Sequence, residues 1–176
     1  MKWAFSDESR RKPHMLMAAV IIDTHAVAAA RQEMRTLLLP RQRRLHMTDE
    51  RQSRRDQILD VVARLPVDGF AVVAITSGRR IPDVRADLLR HVAGELIGGG
   101  VERWTLDGVE GVERDRDRSV LTTHLRSVGA ELLFDHLPTQ ADPLLWAADA
   151  VAWAVGSGGR HLERFGDRLE ITQLEP

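Results

Sequence analysis

The stretch that most constrains this chain is Leu144 to Val155: twelve residues, all apolar except one, Asp149. A helix that is hydrophobic nearly all round has to be buried. This one carries a carboxylate into the interior with it. An ionised carboxylate without a partner costs several kcal/mol to bury. Asp149 therefore needs an arginine, a hydrogen-bond network or a metal ion beside it. Trp146, Asp149 and Trp153 lie on one flank at three- and four-residue spacing. Tryptophans framing a carboxylate either line a cleft or belong to the core, and both readings stay open here. The run is too short and too polar to span a bilayer.

The 176-residue length suits one domain, 1–176, with 160–176 as a C-terminal appendix. The absence of cysteine excludes disulfides, zinc–thiolate sites and a cysteine nucleophile. Ser6 and Asp7 stand near the start where a signal peptide needs apolar residues, so the expectation is a cytoplasmic protein. Only Lys2 and Lys12 are lysines, and asparagine and tyrosine are missing. That bias fits a GC-rich bacterial genome and argues against reading every arginine as chemistry. The net charge of −1 hides an asymmetry: residues 1–64 sum to +5 and residues 65–176 to −6. The positive half holds Arg41, Arg43, Arg44, Arg51, Arg54 and Arg55. Such a patch is compatible with a polyanion partner, and equally with a solvated helix face.

Along the chain, Lys2 to Asp7 reads as a strand, with Glu8 to Pro13 as a turn. Met15 to Ile22 is a continuous apolar run of eight, a strand buried on both faces. A helix capped by Asp23 or Thr24 follows, ended by Pro40. Arg41 to Met47 is a basic loop, and Thr48 is the expected cap of a second helix whose first half, Glu50 to Gln57, projects outward. Strands are expected at Phe70 to Ile75, Val101 to Asp107 and Glu131 to Asp135. Between them come a helix entered through Pro82 and one from Val120 to Val128, with Gly108 to Asp117 as a charged loop. Asp142 caps the apolar helix, Pro143 opens it, and Leu169 to Thr172 is a final edge strand. A hairpin followed by alternating helices and strands predicts an α/β fold. It should have a mixed sheet of about five strands, helices on both faces, and the first strand between the second and fourth.

Carboxylates punctuate this order. Asp7 and Glu8 close the first strand, and Asp107 closes the fourth. Parallel strands end on one edge, where ligand sites collect. With strands one and four as neighbours, Asp7 and Asp107 face each other and the last helix brings Asp149 over them. Carboxylates converging from separate segments suit a hard divalent cation, Mg²⁺ or Mn²⁺. Such ions activate water and stabilise a leaving oxygen in phosphodiester cleavage. His46, in the basic loop near Asp49, is a candidate for phosphate binding or proton relay, and equally a loop histidine without a role. Gly98-Gly99-Gly100 follows a helix and reads as a stop signal. Asp135 is a candidate extra ligand or a turn cap. His91, His124 and His136 have no partner at metal-binding spacing.

Phe5-Ser6-Asp7-Glu8-Ser9, the apolar second strand, Leu45-His46-Met47, and the Ala147-Ala148-Asp149-Ala150-Val151-Ala152-Trp153 helix together resemble the bacterial family called domain of unknown function 3800. The resemblance runs from residue 3 to about 155. It implies an RNase H-like fold with Asp7, Glu8, Asp107 and Asp149 around a metal site. The family has glycine after Asp-Glu-Ser, and here Arg10 stands there.

Three functions fit these residues. The first is a divalent-metal-dependent nuclease in which Asp7, Asp107 and Asp149 hold metal and Glu8 assists. Arg41, Arg43, Arg44, His46, Arg51, Arg54 and Arg55 would then contact backbone phosphates. The second is a non-catalytic nucleic-acid- or protein-binding module on the same fold. The third is a carboxylate-pair hydrolase acting on sugars.

Overall fold

The computed structural model describes residues 1–175. A six-stranded mixed sheet runs through the molecule in the order β5-β4-β1-β2-β3-β6. β1 (Lys2–Arg11) and β2 (His14–Asp23) form an antiparallel hairpin, and β3 (Val67–Ile75) pairs antiparallel with β2. β4 (Val101–Asp107) lies parallel to β1, β5 (Leu133–Leu137) parallel to β4, and β6 (Leu169–Gln173) parallel to β3. The C-terminal appendix supplies the sixth strand, the edge strand expected at Leu169 to Thr172. β1 pairs with β2 and β4, as expected.

The apolar run in β2 is buried on both sides because the sheet is covered on both. Leu16, Ala18, Val20 and Ile22 face a core built with α1 (Val27–Thr36), α2 (Gln52–Val62) and α5 (Pro143–Ser157). Met15 and Met17 face a second core built with α3 (Ile81–Gly98) and α4 (Gly111–Val128). Each large aliphatic side chain removed from water here contributes about 1.5–3 kcal/mol. α5 lies across β1 and β2, its alanines letting the backbone approach the sheet. Asp142 caps it, accepting from the Leu144 amide at 3.0 Å while Arg31 binds the same carboxylate.

Several boundaries differ from the sequence expectation. β1 continues to Arg11, because its whole length pairs residue for residue with β2, leaving only Lys12 and Pro13 in the turn. The residues expected to be a charged loop, Gly111 to Asp117, are the first two turns of α4. Asp23 makes no side-chain cap. α1 stops at Thr36, before Pro40. Thr48 sits in a 3-10 turn, Met47–Asp49, and α2 begins after Arg51. Glu50 is buried rather than projecting, held by Gln42 at 2.6 Å. β5 is shifted two residues later than expected. Among the described residues no helix is long and apolar enough to cross a membrane.

Candidate active site

Ser6 of β1 stands beside Leu106 of β4, so Asp7 and Asp107 follow side by side just past the last β1–β4 pair, where β4 ends and β1 runs on to Arg11 alongside β2. Gly108 follows at a point of close backbone approach: a Cβ there would lie 2.9 Å from the Leu137 carbonyl oxygen. A cavity of about 150 Å³ opens at this edge, lined by Ser6, Asp7, Glu8, Arg85, Asp107 and Gly108 among others. Asp149 reaches Asp7 from the other side, off α5. Its Oδ2 accepts the Met47 amide at 2.7 Å. Leu45 and Met47 are buried in the core and pin this loop segment there.

The electrostatics of the trio are unusual. Burial pushes the Asp7 carboxyl well above its ordinary value; the charges of Asp149 and Asp107 and a hydrogen bond shared with Asp149 push it further, and Arg85 opposes this only in part. Burial also raises Asp149, against the Met47 amide and the neighbouring His46 imidazole, which favour its ionised form. The two carboxyls are therefore coupled, each held above its ordinary value, and Asp7 feels the like charges of both Asp149 and Asp107. One oxygen of Asp107, Oδ1, is buried without any hydrogen-bond partner. An all-oxygen donor set with an orphaned carboxylate oxygen fits a hard divalent cation. Among the described residues, however, no three Asp, Glu or His side chains are already gathered into a metal cage.

Glu8 points the opposite way from Asp7, as strand alternation requires. It lines the cavity, but its carboxylate is ion-paired with Arg85 and with Arg10, the latter at 2.9 Å. Arg85 is the centre of a buried network on the α3–α4 side. Its Nε and Nη2 donate to Asp117 at 2.9 and 2.7 Å, and His136 meets the same carboxylate at 3.0 Å. Burial pushes Asp117 up, but the hydrogen bonds of His136 and Arg85, together with the Arg85 charge, hold it below its ordinary value. Sequence reasoning missed all three residues. The signal was present: Arg85 lies on the stripe of Leu88, Leu89, Val92 and Leu96, and Asp117 on that of Leu121 and Leu125. A charged residue on an apolar helical face is a buried one.

The basic residues divide. Arg41, Arg43, Arg44 and Arg51 are exposed. Arg54 is tied to Glu50, to Gln57 and to the Leu37 carbonyl. Arg55 donates to the carbonyls of Met47 at 2.7 Å and Thr48 at 3.1 Å, so both act in holding the loop. His46 lies in the same segment, with Asp49 3.4 Å from its Nδ1. Asp135 is exposed and accepts its neighbour's amide, from His136, as a turn cap does.

No protein-family model matches the sequence, and no curated protein matches it. Solved structures do. The chain is similar to one in the PCNA:RNase HII complex from Archaeoglobus fulgidus, with a TM-score of 0.60 at 14% identity, over 96% of this chain and 78% of that one. The fold is RNase H-like.

Proposed function

We propose that the chain is a divalent-metal-dependent phosphodiesterase acting on nucleic acid, and that it belongs with the domain of unknown function 3800 proteins. The observation that supports this is the convergence of Asp7, Asp107 and Asp149 from β1, β4 and α5. The charges of Asp149 and Asp107 both act on Asp7, and Arg85 is the cation that opposes them there. A structural role does not call for such mutual repulsion, whereas a bound cation relieves it. The similar solved structure contains an RNase HII, and the fold it shares is a recurrent nuclease scaffold.

In this reading Asp7, Asp107 and Asp149 hold Mg²⁺ or Mn²⁺. Bound there, the ion supplies Lewis-acid polarisation of a phosphodiester and activation of water. The protein's own residues do the rest. The Met47 amide fixes Asp149, Gly108 sets the direction in which Asp107 leaves β4, and Arg85 anchors Glu8 at the cavity wall. Arg41, Arg43, Arg44 and Arg51 attract backbone phosphates, and His46 stands on the same side as Asp149.

A second reading is a non-catalytic binding module. It is favoured by the absence of a preformed cage among the described residues and by the engagement of Glu8 with Arg85 and Arg10. Calorimetric titration with Mn²⁺, alongside cleavage assays on labelled DNA, RNA and hybrid duplexes, decides between them. Wild type should bind Mn²⁺ and cleave at least one substrate, and Asp107→Asn should do neither. Tight nucleic-acid binding with no Mn²⁺ uptake would select the binding module.

A further inference from the structure

One helical turn beyond Asp149, about 6 Å along α5, Trp153 carries two guanidinium groups that the carboxylate site does not use. Arg55 lies 5.1 Å and Arg11 5.8 Å from the indole centroid, and His161 meets the ring nearly edge-on at 4.9 Å. Each guanidinium is fixed by main-chain carbonyls. Arg55 uses Nε and Nη2 on Met47 and Thr48, and Arg11 uses Nη1 on Gly156 at 3.1 Å. Carbonyl oxygens orient a guanidinium without cancelling its charge. Among the described residues neither arginine has a carboxylate within ion-pair distance, and Asp56 and Asp60, on the same helix as Arg55, are engaged by Arg164. Nη1 of Arg55, and Nε and Nη2 of Arg11, are left to donate.

Arg11 packs against Gly156: a Cβ at 156 would lie 2.8 Å from Arg11 Nε and 3.1 Å from its Cδ, so a side chain there would push the end of this exposed arginine aside. The cluster is also coupled to the carboxylates through one residue: Met47 gives its N–H to Asp149 and its C=O to Arg55. Two guanidinium groups held by main-chain carbonyls beside one indole, both lacking an anion, leave free N–H donors of the kind that bind phosphate oxygens.

We propose that Arg11 and Arg55, seated on Trp153, form a phosphate-binding subsite. It takes one backbone phosphodiester of a nucleic-acid strand whose neighbouring segment lies at Asp7, Asp107 and Asp149. The identity of the ligand rests on the nuclease reading above. The cluster itself does not depend on metal.

The test is fluorescence-anisotropy binding of short labelled single-stranded DNA and RNA in EDTA, at several salt concentrations. Arg11→Gln removes an exposed cation that makes one carbonyl contact. Gly156→Ala displaces the same cation without removing it, and Arg114→Gln, an exposed arginine on α4, is the control. Arg11→Gln should weaken binding about tenfold and lower the salt slope by about 0.7. Gly156→Ala should weaken binding with no loss in melting temperature, and Arg114→Gln should bind as wild type does. Trp104 and Trp146 are buried and Trp3 lies at the other end of β1 from Arg11, so most of the indole emission change on binding should disappear in Trp153→Phe. Suppose Arg11→Gln and Gly156→Ala keep wild-type affinity and slope while a triple Arg43, Arg44, Arg51→Glu variant loses affinity. The subsite is then refuted and the nucleic-acid reading stands. If wild type binds neither strand even at low salt, both fall.

Discussion

Replacing Asp117 or Asp149 by Asn makes the same chemical change at two buried carboxylates, 1% and 7% exposed, and should move stability in opposite directions. Asp117 is the bidentate partner of Arg85, itself only 3% exposed. Its replacement leaves a buried guanidinium facing an amide, and breaking a buried pair from one side costs about 3–5 kcal/mol. In a chain of this size that is a fall in melting temperature of about 10 °C. Asp149 has Asp7 and Asp107 as charged neighbours. Asn at 149 keeps an acceptor for the Met47 amide, offers an N–H₂ to Asp7 and removes the repulsion. The metal-free variant should therefore be at least as stable as wild type. The dependence on pH separates the two further. Asp7 and Asp149 are held above their ordinary value of 3.8, so the stability they contribute is full below that value and is lost as pH rises through their raised values. Asp117 is held below 3.8, so its contribution is present above that value and is lost as pH falls through its lowered one. The advantage of Asp149→Asn should grow from acid to neutral pH, and the penalty of Asp117→Asn should shrink from neutral to acid. Urea denaturation in EDTA across that range measures both. A loss in Asp149→Asn as large as that in Asp117→Asn would mean that Asp149 partners a structural cation, and the repulsion argument would be wrong.

Mn²⁺ at a hundredfold above its dissociation constant should stabilise wild type by about 2.7 kcal/mol in thermal melts, and Asp107→Asn should lose most of that rise. Changing Arg43, Arg44 and Arg51 together to Glu should leave the melting temperature nearly unchanged, because exposed charges contribute little to stability, while nucleic-acid affinity falls and its salt slope flattens. Arg55→Ala should instead cost about 1–3 kcal/mol in denaturant melts, since it frees two main-chain carbonyls and uncovers one face of Trp153.

The sheet was legible where apolar pattern alone decides it. The run in β2, the end of β4 at Asp107, and the cap and opening of α5 stand where the sequence puts them. What it hid were cases in which tertiary pairing overrides local chemistry. Glu8 to Arg11 look like a turn, yet β2 pairs them as strand. Gly111 to Asp117 look like a loop because charge dominates them, although Asp117 lies one turn before Leu121 on a buried stripe. Arg85 escaped for another reason: in a chain whose bases are nearly all arginine, one more looks like composition, and only its helical phase relative to Leu88 and Leu89 sets it apart. Likewise Arg54 and Arg55 belong to the basic run by sequence and to the loop's scaffold by contact.

The alternation of one strand explains how the candidate site keeps its charge. Asp7 and Glu8 are neighbours in sequence, and the period of two sends them to opposite faces of the sheet. The α3–α4 face offers Glu8 a buried guanidinium, already paired with Asp117, so the negative charge there is spread over a hydrogen-bonded network. The α5 face offers Asp7 another carboxylate. Had both acids pointed toward Arg85, the strand end would be a structural ion-pair cluster with nothing left to bind. Had both pointed toward Asp149, four carboxylates would repel one another in a metal-free fold, at a cost that a marginally stable domain does not readily offset. The division leaves under-compensated carboxylates on β1, β4 and α5 and places an ion-paired network on the other face of the sheet. Arg85 reaches both groups, pairing with Glu8 and Asp117 while partly offsetting the charge around Asp7. That shared guanidinium is why the proposed metal site and the buried network should respond to each other: loss of Asp117 should alter Mn²⁺ affinity from the far face of the sheet, without removing any of the three proposed ligands.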